Sequence, residues 1–132
     1  MSNKLLVRII LPSETFLEVE TSQVNIPGTE GVFGVLPGHV KLTSAIEIGI
    51  ASIFNNELET RYYIHGGVVQ ITGDEVNIVT EYAASIPESN KTTITNEITD
   101  LQEELSSEEE GSIEADIILD KIEKHKSLIK FL

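Results

Sequence analysis

Residues 28–45 read GTEGVFGVLPGHVKLTSA and contain four of the chain's nine glycines, one of its four prolines and one of its three histidines. Glycine adopts positive φ at little cost, and Pro37 followed by Gly38 is a typical turn pair. Because the residues between the glycines are largely apolar, we predict a loop that folds back onto a core. Neither GxxxxGK nor GxGxxG occurs here, which argues against a phosphate-binding loop.

The chain on both sides of this stretch alternates between apolar and polar residues in short runs that end at turn residues. We interpret these runs as strands, among them residues 4–11, 14–20, 23–26, 46–51, 58–65, 69–71 and 76–78. Gly66 and Gly67 are expected to break or bulge a strand. No helical segment separates the runs, as βαβ units would require. The pattern therefore predicts an antiparallel β-sandwich of about ten strands, with a barrel as the alternative.

The sequence period changes after Pro87, from alternation to helical spacing. Apolar residues then form two stripes, each on one helical face: Ile94, Ile98, Leu101 and Leu105, followed by Ile118, Ile122, His125, Ile129 and Leu132. The polar segment 106–112 separates them, with Gly111 as a helix breaker and Ser112 as the N-cap of the second helix. We therefore predict two domains, a β-sandwich over residues 1–87 and a helical hairpin over residues 88–132.

Composition limits the classes to which this protein can belong. Its 132 residues include no cysteine, so neither a disulfide framework nor thiol chemistry is expected. The net charge of −13 argues against nucleic acid as a partner. No apolar run approaches the roughly 18 residues of a membrane span. Arg8 interrupts the N-terminal apolar patch, so we expect neither membrane insertion nor a signal peptide.

Residues that could carry chemistry are scattered. The sequence lacks GxSxG, HExxH and CxxC, and His39, His65 and His125 fall on three different predicted elements. We therefore expect no catalytic residues, no metal and no cofactor, and we interpret each histidine as a local structural residue. Leu128 and Phe131 lie outside the predicted helical seam, so they are expected either to pack on the sandwich or to contact a partner. Within an antiparallel hairpin, charge pairing is expected for two lysines: Lys121 near Asp100, and Lys124 near Glu97.

Four runs of this sequence, taken together, resemble the epsilon subunit of F-type ATP synthase. Residues 31–43 read GxxGxLPGHxxLT, and residues 45–49 read AIxxG. Residues 66–71 read GGVxQI, and residues 76–83 read VxIVxxxA. At the level of motifs the resemblance covers about residues 3–87, and the remainder resembles the family through its hairpin pattern.

The resemblance implies a non-catalytic rotor subunit of the central stalk, with a β-sandwich followed by a helical hairpin. In this family the sandwich binds the gamma subunit and contacts the membrane c-ring through loops at one end. The implied location is peripheral, on the cytoplasmic face of a bacterial inner membrane. Carried onto this sequence, the interface set is Glu30, Gly31, Val32, Phe33, Leu36, Pro37, Gly38, His39 and Lys41. Many relatives have a carboxylate where this chain has Val32, so we expect an apolar contact there.

The hairpin of the family also extends along gamma to the alpha and beta subunits, where it blocks rotation. In this chain residues 88–116 carry a net charge of −9, whereas the last helix is locally basic. The lysines that would meet an acidic surface of the head are Lys121, Lys124, Lys126 and Lys130. We therefore expect conditional, salt-sensitive inhibition of ATP hydrolysis.

Several relatives bind ATP through the motif [Ile/Leu]-Asp-x-x-Arg-Ala at the start of the first helix. This chain has Thr92, Thr95 and Asn96 where the motif has Asp, Arg and Ala, so we expect no nucleotide binding. A second hypothesis for function, independent of the resemblance, is a small ligand-binding β-sandwich with a helical lid. That hypothesis requires a concave apolar pocket.

Overall fold

The computed structural model of this chain describes residues 4–38 and 41–132. It divides into two compact units, Met1–Pro87 and Glu88–Leu132. The first unit is built from strands and the second from helices. Among the described residues, no helix combines the length and the apolar character needed to cross a membrane.

Eight strands are formed by the described residues of the first unit: β1 (Leu5–Ile10), β2 (Thr15–Thr21), β3 (Gln23–Gly28), β4 (Gly31–Val35), β5 (Leu42–Asn55), β6 (Leu58–Thr72), β7 (Glu75–Val79) and β8 (Ala83–Ser85). The prediction of about ten strands is wrong in number. One reason is that β6 continues through Gly66 and Gly67, which the positive φ values of both glycines, 69° and 120°, make possible. A second difference is β4, which lies inside the stretch predicted to be a loop.

The strands follow one hydrogen-bonded path in the order β2-β1-β7-β6-β5-β3-β4, and β8 pairs with β6 beside it. The prediction of a purely antiparallel sheet is also wrong, because β1 and β7 are parallel, with Val7 opposite Val76 and Ile9 opposite Ile78. Alternation along a strand determines which side chains face inward, but it carries no information about the direction of the neighbouring strand.

One apolar core joins the two ends of this path. Val7 and Ile9 from β1 belong to the same buried cluster as Val24 from β3 and Val35 from β4. Strands that are far apart in hydrogen-bonding order therefore face each other across a shared interior. This arrangement is a β-sandwich, as the sequence predicts, although its sheet is mixed and open.

The second unit is a pair of helices, α1 (Lys91–Ser106) and α2 (Ile113–Ile129), as predicted. Asn90 caps α1 by accepting a hydrogen bond from the Thr93 amide, and Ser112 caps α2 by accepting one from the Ala115 amide. The N-cap prediction for Ser112 is thus confirmed. Gly111 has a φ of +79°, which suits the turn that precedes the cap. The buried side chains of the two helices are Ile94, Ile98, Ala115, Ile118, Ile122 and Leu128.

Candidate interaction surfaces

The hairpin between β3 and β4 presents apolar side chains to solvent at one end of the sandwich. Its turn lies between Gly28 and Gly31, which are paired residues of the two strands, and Gly31 has a φ of +117°. Val32 is 68% exposed and Leu42, at the start of β5, is 41% exposed. An open groove of about 530 Å³ is lined by Gly28, Thr29, Glu30, Gly31, Val32, Phe33, Leu42 and Ser44.

The start of β5 lies at this same end, because Leu42 lines the groove, and Gly38 of the preceding loop is held close to it. Leu36 is 55% exposed, and the Gly38 amide donates a 2.9 Å hydrogen bond to Oδ1 of Asp74, in the turn between β6 and β7. Leu42 pairs with Ile71, close to that turn. We call this end of the sandwich, with residues 28–33, 36–38 and 41–42, the loop surface.

The structure brings most of the predicted interface residues together on the loop surface. Glu30, Gly31, Val32 and Phe33 line its groove, and Lys41 precedes Leu42 on the loop that returns to the sheet. Phe33 is half-buried because its ring packs on the core cluster, whereas Leu36, Gly38 and Lys41 are exposed and Pro37 is half-buried. His39 lies outside the described residues.

A row of apolar side chains crosses the outer face of the sheet, and sequence reasoning did not identify it. Ile10 of β1 lies opposite Val79 of β7, which lies opposite Val68 of β6, which lies opposite Ala45 of β5. Val68 and Val79 are 43% and 48% exposed. We call these four residues the apolar row.

The neighbouring row on the same face is polar, and its Arg8 pairs with acidic and amide side chains around it. Arg8 lies opposite Glu18 and Asn77, and its guanidinium contacts the carboxylates of Glu18 at 3.4 Å and Glu75 at 3.3 Å. Arg8 also donates a 3.3 Å hydrogen bond to the Asn77 side chain. A solvent-facing row normally looks like this one, so the apolar row is the exception that indicates a contact surface. The sequence contains one sign of the apolar row. In the alternation of β7, Val79 falls on the same face as the polar residues Glu75 and Asn77.

A second open groove, of about 400 Å³, runs along the apolar row. It is lined by Ile10, Leu11, Pro12, Gly67, Val68, Val79, Thr80 and Glu81. The charged side chain at its edge is that of Glu81, a carboxylate. This surface thus suits a protein partner that presents apolar side chains, with basic groups beside them.

The charged pairs of the helical hairpin differ in part from those predicted. Lys121 lines a groove that Asp100 also lines. Lys124, however, forms a 2.7 Å ion pair with Asp120 on its own helix, so its predicted position beside Glu97 is wrong. His125 takes that position, with Nε2 lying 3.2 Å from the Glu97 carboxylate and Nδ1 lying 2.7 Å from the Lys121 carbonyl oxygen. His125 thus connects the two helices, as its place in the predicted seam implies.

The remaining lysines of the predicted regulatory set, Lys126 and Lys130, are exposed near the end of α2. Leu128 is buried, while Phe131 is exposed. At the start of α1, the Thr95 hydroxyl donates a 2.7 Å hydrogen bond to the Lys91 carbonyl oxygen. The expectation of no nucleotide binding there stays a prediction. Among the described residues, no group of three or more His, Cys, Asp or Glu side chains is arranged to hold a metal ion.

Comparison with known proteins relates both units to one family. Residues 4–86 match the family model for the β-sandwich domain of the delta/epsilon chain of ATP synthase. The chain is 35% identical over 109 residues to an ATP synthase epsilon chain from Rickettsia conorii, covering 80% of this chain and 97% of that one. It is 36% identical to the corresponding Rickettsia prowazekii protein over the same shares of both chains.

The fold has similar counterparts among solved structures. A chain in the Euglena gracilis mitochondrial ATP synthase, in a structure of its OSCP, F1 and c-ring, aligns with a TM-score of 0.65. That alignment has 20% sequence identity and covers 98% of this chain and 83% of the other. At this level of identity the likeness concerns the fold alone. The family match and the sequence identity together establish that this chain belongs to the ATP synthase epsilon chain family.

Proposed function

We propose that this chain is a non-catalytic rotor subunit in the central stalk of an F-type ATP synthase, where it couples the catalytic head to the proton-translocating c-ring. The observation that carries the proposal is the 35% identity to an epsilon chain over 97% of that chain's length. The family match does not favour the alternative of a ligand-binding sandwich with a helical lid. Because the Rickettsia relatives are bacterial, we place the subunit peripherally on the cytoplasmic face of the cell membrane.

The gamma subunit is the partner that we assign to the apolar row. Val68 and Val79 are neighbours in the sheet and together expose a strip of aliphatic surface. Each buried aliphatic side chain contributes about 1.5–3 kcal/mol on full burial, so a few such residues are enough to anchor an interface. The carboxylate of Glu81 at the edge favours basic side chains on the gamma subunit beside that strip.

The c-ring is the partner that we assign to the loop surface. Val32, Leu36 and Leu42 are exposed there, and a hydrophobic contact with the loops of the ring follows from their character. Glu30 and Lys41 flank these residues with opposite charges and are exposed. They orient the contact more than they strengthen it, because exposed ion pairs contribute only about 0–1 kcal/mol.

The two units take different roles in this proposal. Residues 1–87 form the gamma- and ring-contacting domain, and residues 88–132 form a regulatory hairpin that can reach the alpha and beta subunits. Exposed Lys121, Lys126 and Lys130 are available for an acidic surface of the head. Lys124 must first leave its ion pair with Asp120.

Co-expression with the gamma subunit of the same enzyme, followed by size exclusion, tests the gamma assignment. We expect the wild-type chain to elute with gamma, and Val68→Glu to weaken the complex more than tenfold, because an unpaired carboxylate would be buried. The matched control is Gln70→Glu, which adds the same charge two residues away on the same face of β6.

The results of this experiment distinguish a wrong function from a wrong assignment of the gamma-binding surface. A wild-type chain that elutes apart from gamma contradicts the proposed rotor function. Equal co-elution of Val68→Glu and the wild type leaves the function in place but shows that gamma binds another surface. Weakening by both variants would mean that any added charge on this face is disruptive, and the apolar row would lose its assignment.

A further inference from the structure

The carboxylate of Asp74 connects two segments of the sandwich that are far apart in sequence. Asp74 lies in the turn between β6 and β7, and its Oδ1 accepts the hydrogen bond from the Gly38 amide, 36 positions earlier in the chain. Asp side chains in turns commonly accept hydrogen bonds from amides of their own turn. This one instead reaches across to the loop between β4 and β5.

The backbone of Asp74 is held in place by the sheet. Its carbonyl oxygen accepts a 2.8 Å hydrogen bond from the Leu6 amide, next to the start of β1. Immediately beside it, Thr72 and Glu75 are paired residues of β6 and β7. A carboxylate fixed on a paired turn is a suitable anchor for residues 36–38, which lie outside the strands.

The loop that Asp74 holds needs such an anchor. Its described residues 36–38 lead out of β4 and turn at Gly38, whose φ of +79° is a left-handed conformation. Leu36 is exposed, although an apolar side chain on an unrestrained loop gains free energy by turning away from water. The hydrogen bond from the Gly38 amide ties this loop to the paired turn, so it can hold the exposed conformation.

We propose that Asp74 is a positioning residue for coupling: it holds the loop in the conformation that presents Leu36 to the c-ring. The inference rests on the proposed function, because it takes the loop surface as the ring contact. Asp74 acts only through its hydrogen bond to the Gly38 amide. The turn between β6 and β7, which carries Asp74, thereby becomes part of the coupling surface.

The first test measures the hydrogen bond in the full chain. Amide hydrogen exchange at Gly38, followed by NMR, is expected to be about fivefold faster in Asp74→Ala than in the wild type. Asp74→Asn keeps an oxygen acceptor and is expected to exchange close to the wild-type rate. The control Glu57→Ala removes an exposed carboxylate from the turn between β5 and β6 and should leave Gly38 unchanged.

The second test measures coupling in membranes that contain the assembled synthase. We expect Asp74→Ala to lower proton pumping per ATP hydrolysed toward the level of Leu36→Asp, and Asp74→Asn to restore it. Rescue by Asn separates positioning by a hydrogen bond from a requirement for the charge. Glu57→Ala should couple like the wild type.

Three results would overturn the proposal in different ways. Unchanged Gly38 exchange in Asp74→Ala would show that the hydrogen bond does not hold the loop. Normal pumping in Asp74→Ala together with uncoupling in Leu36→Asp would leave the ring contact in place and remove Asp74 from it. Normal pumping in Leu36→Asp would contradict the assignment of the loop surface to the ring, and the role of Asp74 in coupling would fall with it.

Discussion

Gly67 is the position at which the sandwich has no room for a side chain. Its φ is +120°, which side-chain-bearing residues rarely adopt, and a Cβ built there would lie 2.0 Å from the Val79 carbonyl oxygen. Gly67 sits between Gly66 and Val68, so the backbone that carries the apolar row depends on it. Glycine is therefore required at position 67 both by the lack of space for a side chain and by the backbone conformation.

Gly67→Ala is expected to lower the free energy of unfolding by at least about 3 kcal/mol, because strain in φ and a backbone clash act together. Chemical denaturation followed by circular dichroism measures it. Gly73→Ala is the control, since Gly73 also has positive φ, +62°, but has open space around its Cβ position. That change should cost only about 1–2 kcal/mol. Equal losses in the two variants would show that the contact with Val79 is not a real constraint.

The sequence shows which residues are important at these positions, but it does not predict their backbone conformation or their side-chain partners. The sequence predicts that Gly66 and Gly67 break or bulge a strand, but it does not decide between the two, because positive φ at glycine is compatible with either outcome. In the hairpin, the predicted spacing placed His125 in the seam correctly. The sequence, however, predicts Lys124 and not His125 as the partner of Glu97. Spacing along a helix does not specify which of two adjacent side chains contacts the neighbouring helix.

At the scale of elements, the hairpin combines an acidic first helix with a basic end. Ser112 and Asn90 fix where its helices start, through caps that contribute about 1 kcal/mol each. The pair of His125 and Glu97 joins the helices, but it is partly exposed and therefore weak. These contributions are small, which suits an element that is proposed to change its position.

We expect removal of the hairpin by truncation after Pro87 to raise ATP hydrolysis by the assembled enzyme, and the increase to shrink at high ionic strength as charges are screened. Alanine at the four C-terminal lysines (Lys121, Lys124, Lys126 and Lys130) should reproduce much of the increase. Lys91→Ala, at the start of α1, is the control and should leave hydrolysis unchanged. If truncation has no effect at any salt concentration, the hairpin is not an inhibitor.

Which elements pair could be predicted less well than which elements exist. Alternation and helical spacing identified most strands and both helices, because burial on one face is a local property of the sequence. The parallel pairing of β1 with β7 joins segments about 70 positions apart, as from Arg8 to Asn77. No local pattern encodes that pairing. The apolar row was missed for the same reason, since Ile10, Val79, Val68 and Ala45 become neighbours only through the register of four strands.

At the scale of the whole molecule, the sandwich has a core of its own. Every residue of the buried apolar cluster comes from the first unit, from Leu5 to Ala83. The hairpin adds its own buried side chains, such as Ile94 and Ile118. A core built from residues of the first unit alone is the physical basis for predicting that this unit folds by itself.

A chain that ends at Pro87 is therefore expected to be soluble and to unfold cooperatively on heating, with a circular dichroism spectrum typical of strands. Heteronuclear NMR would add a second check, because the amides of β1 and β7 should keep their wild-type chemical shifts. A disordered product would mean that the sandwich needs the hairpin to fold.

Coupling of the two motors of an ATP synthase, without any part in catalysis, is the role that we propose for this chain. ATP-driven proton pumping tests it most directly, in membrane vesicles that carry the synthase of the same organism with its epsilon chain removed. We predict that adding the purified chain restores pumping, and that Val68→Glu does so poorly while Gln70→Glu restores it fully. Pumping that stays at the level of the depleted vesicles after the wild-type chain has been added would contradict the account.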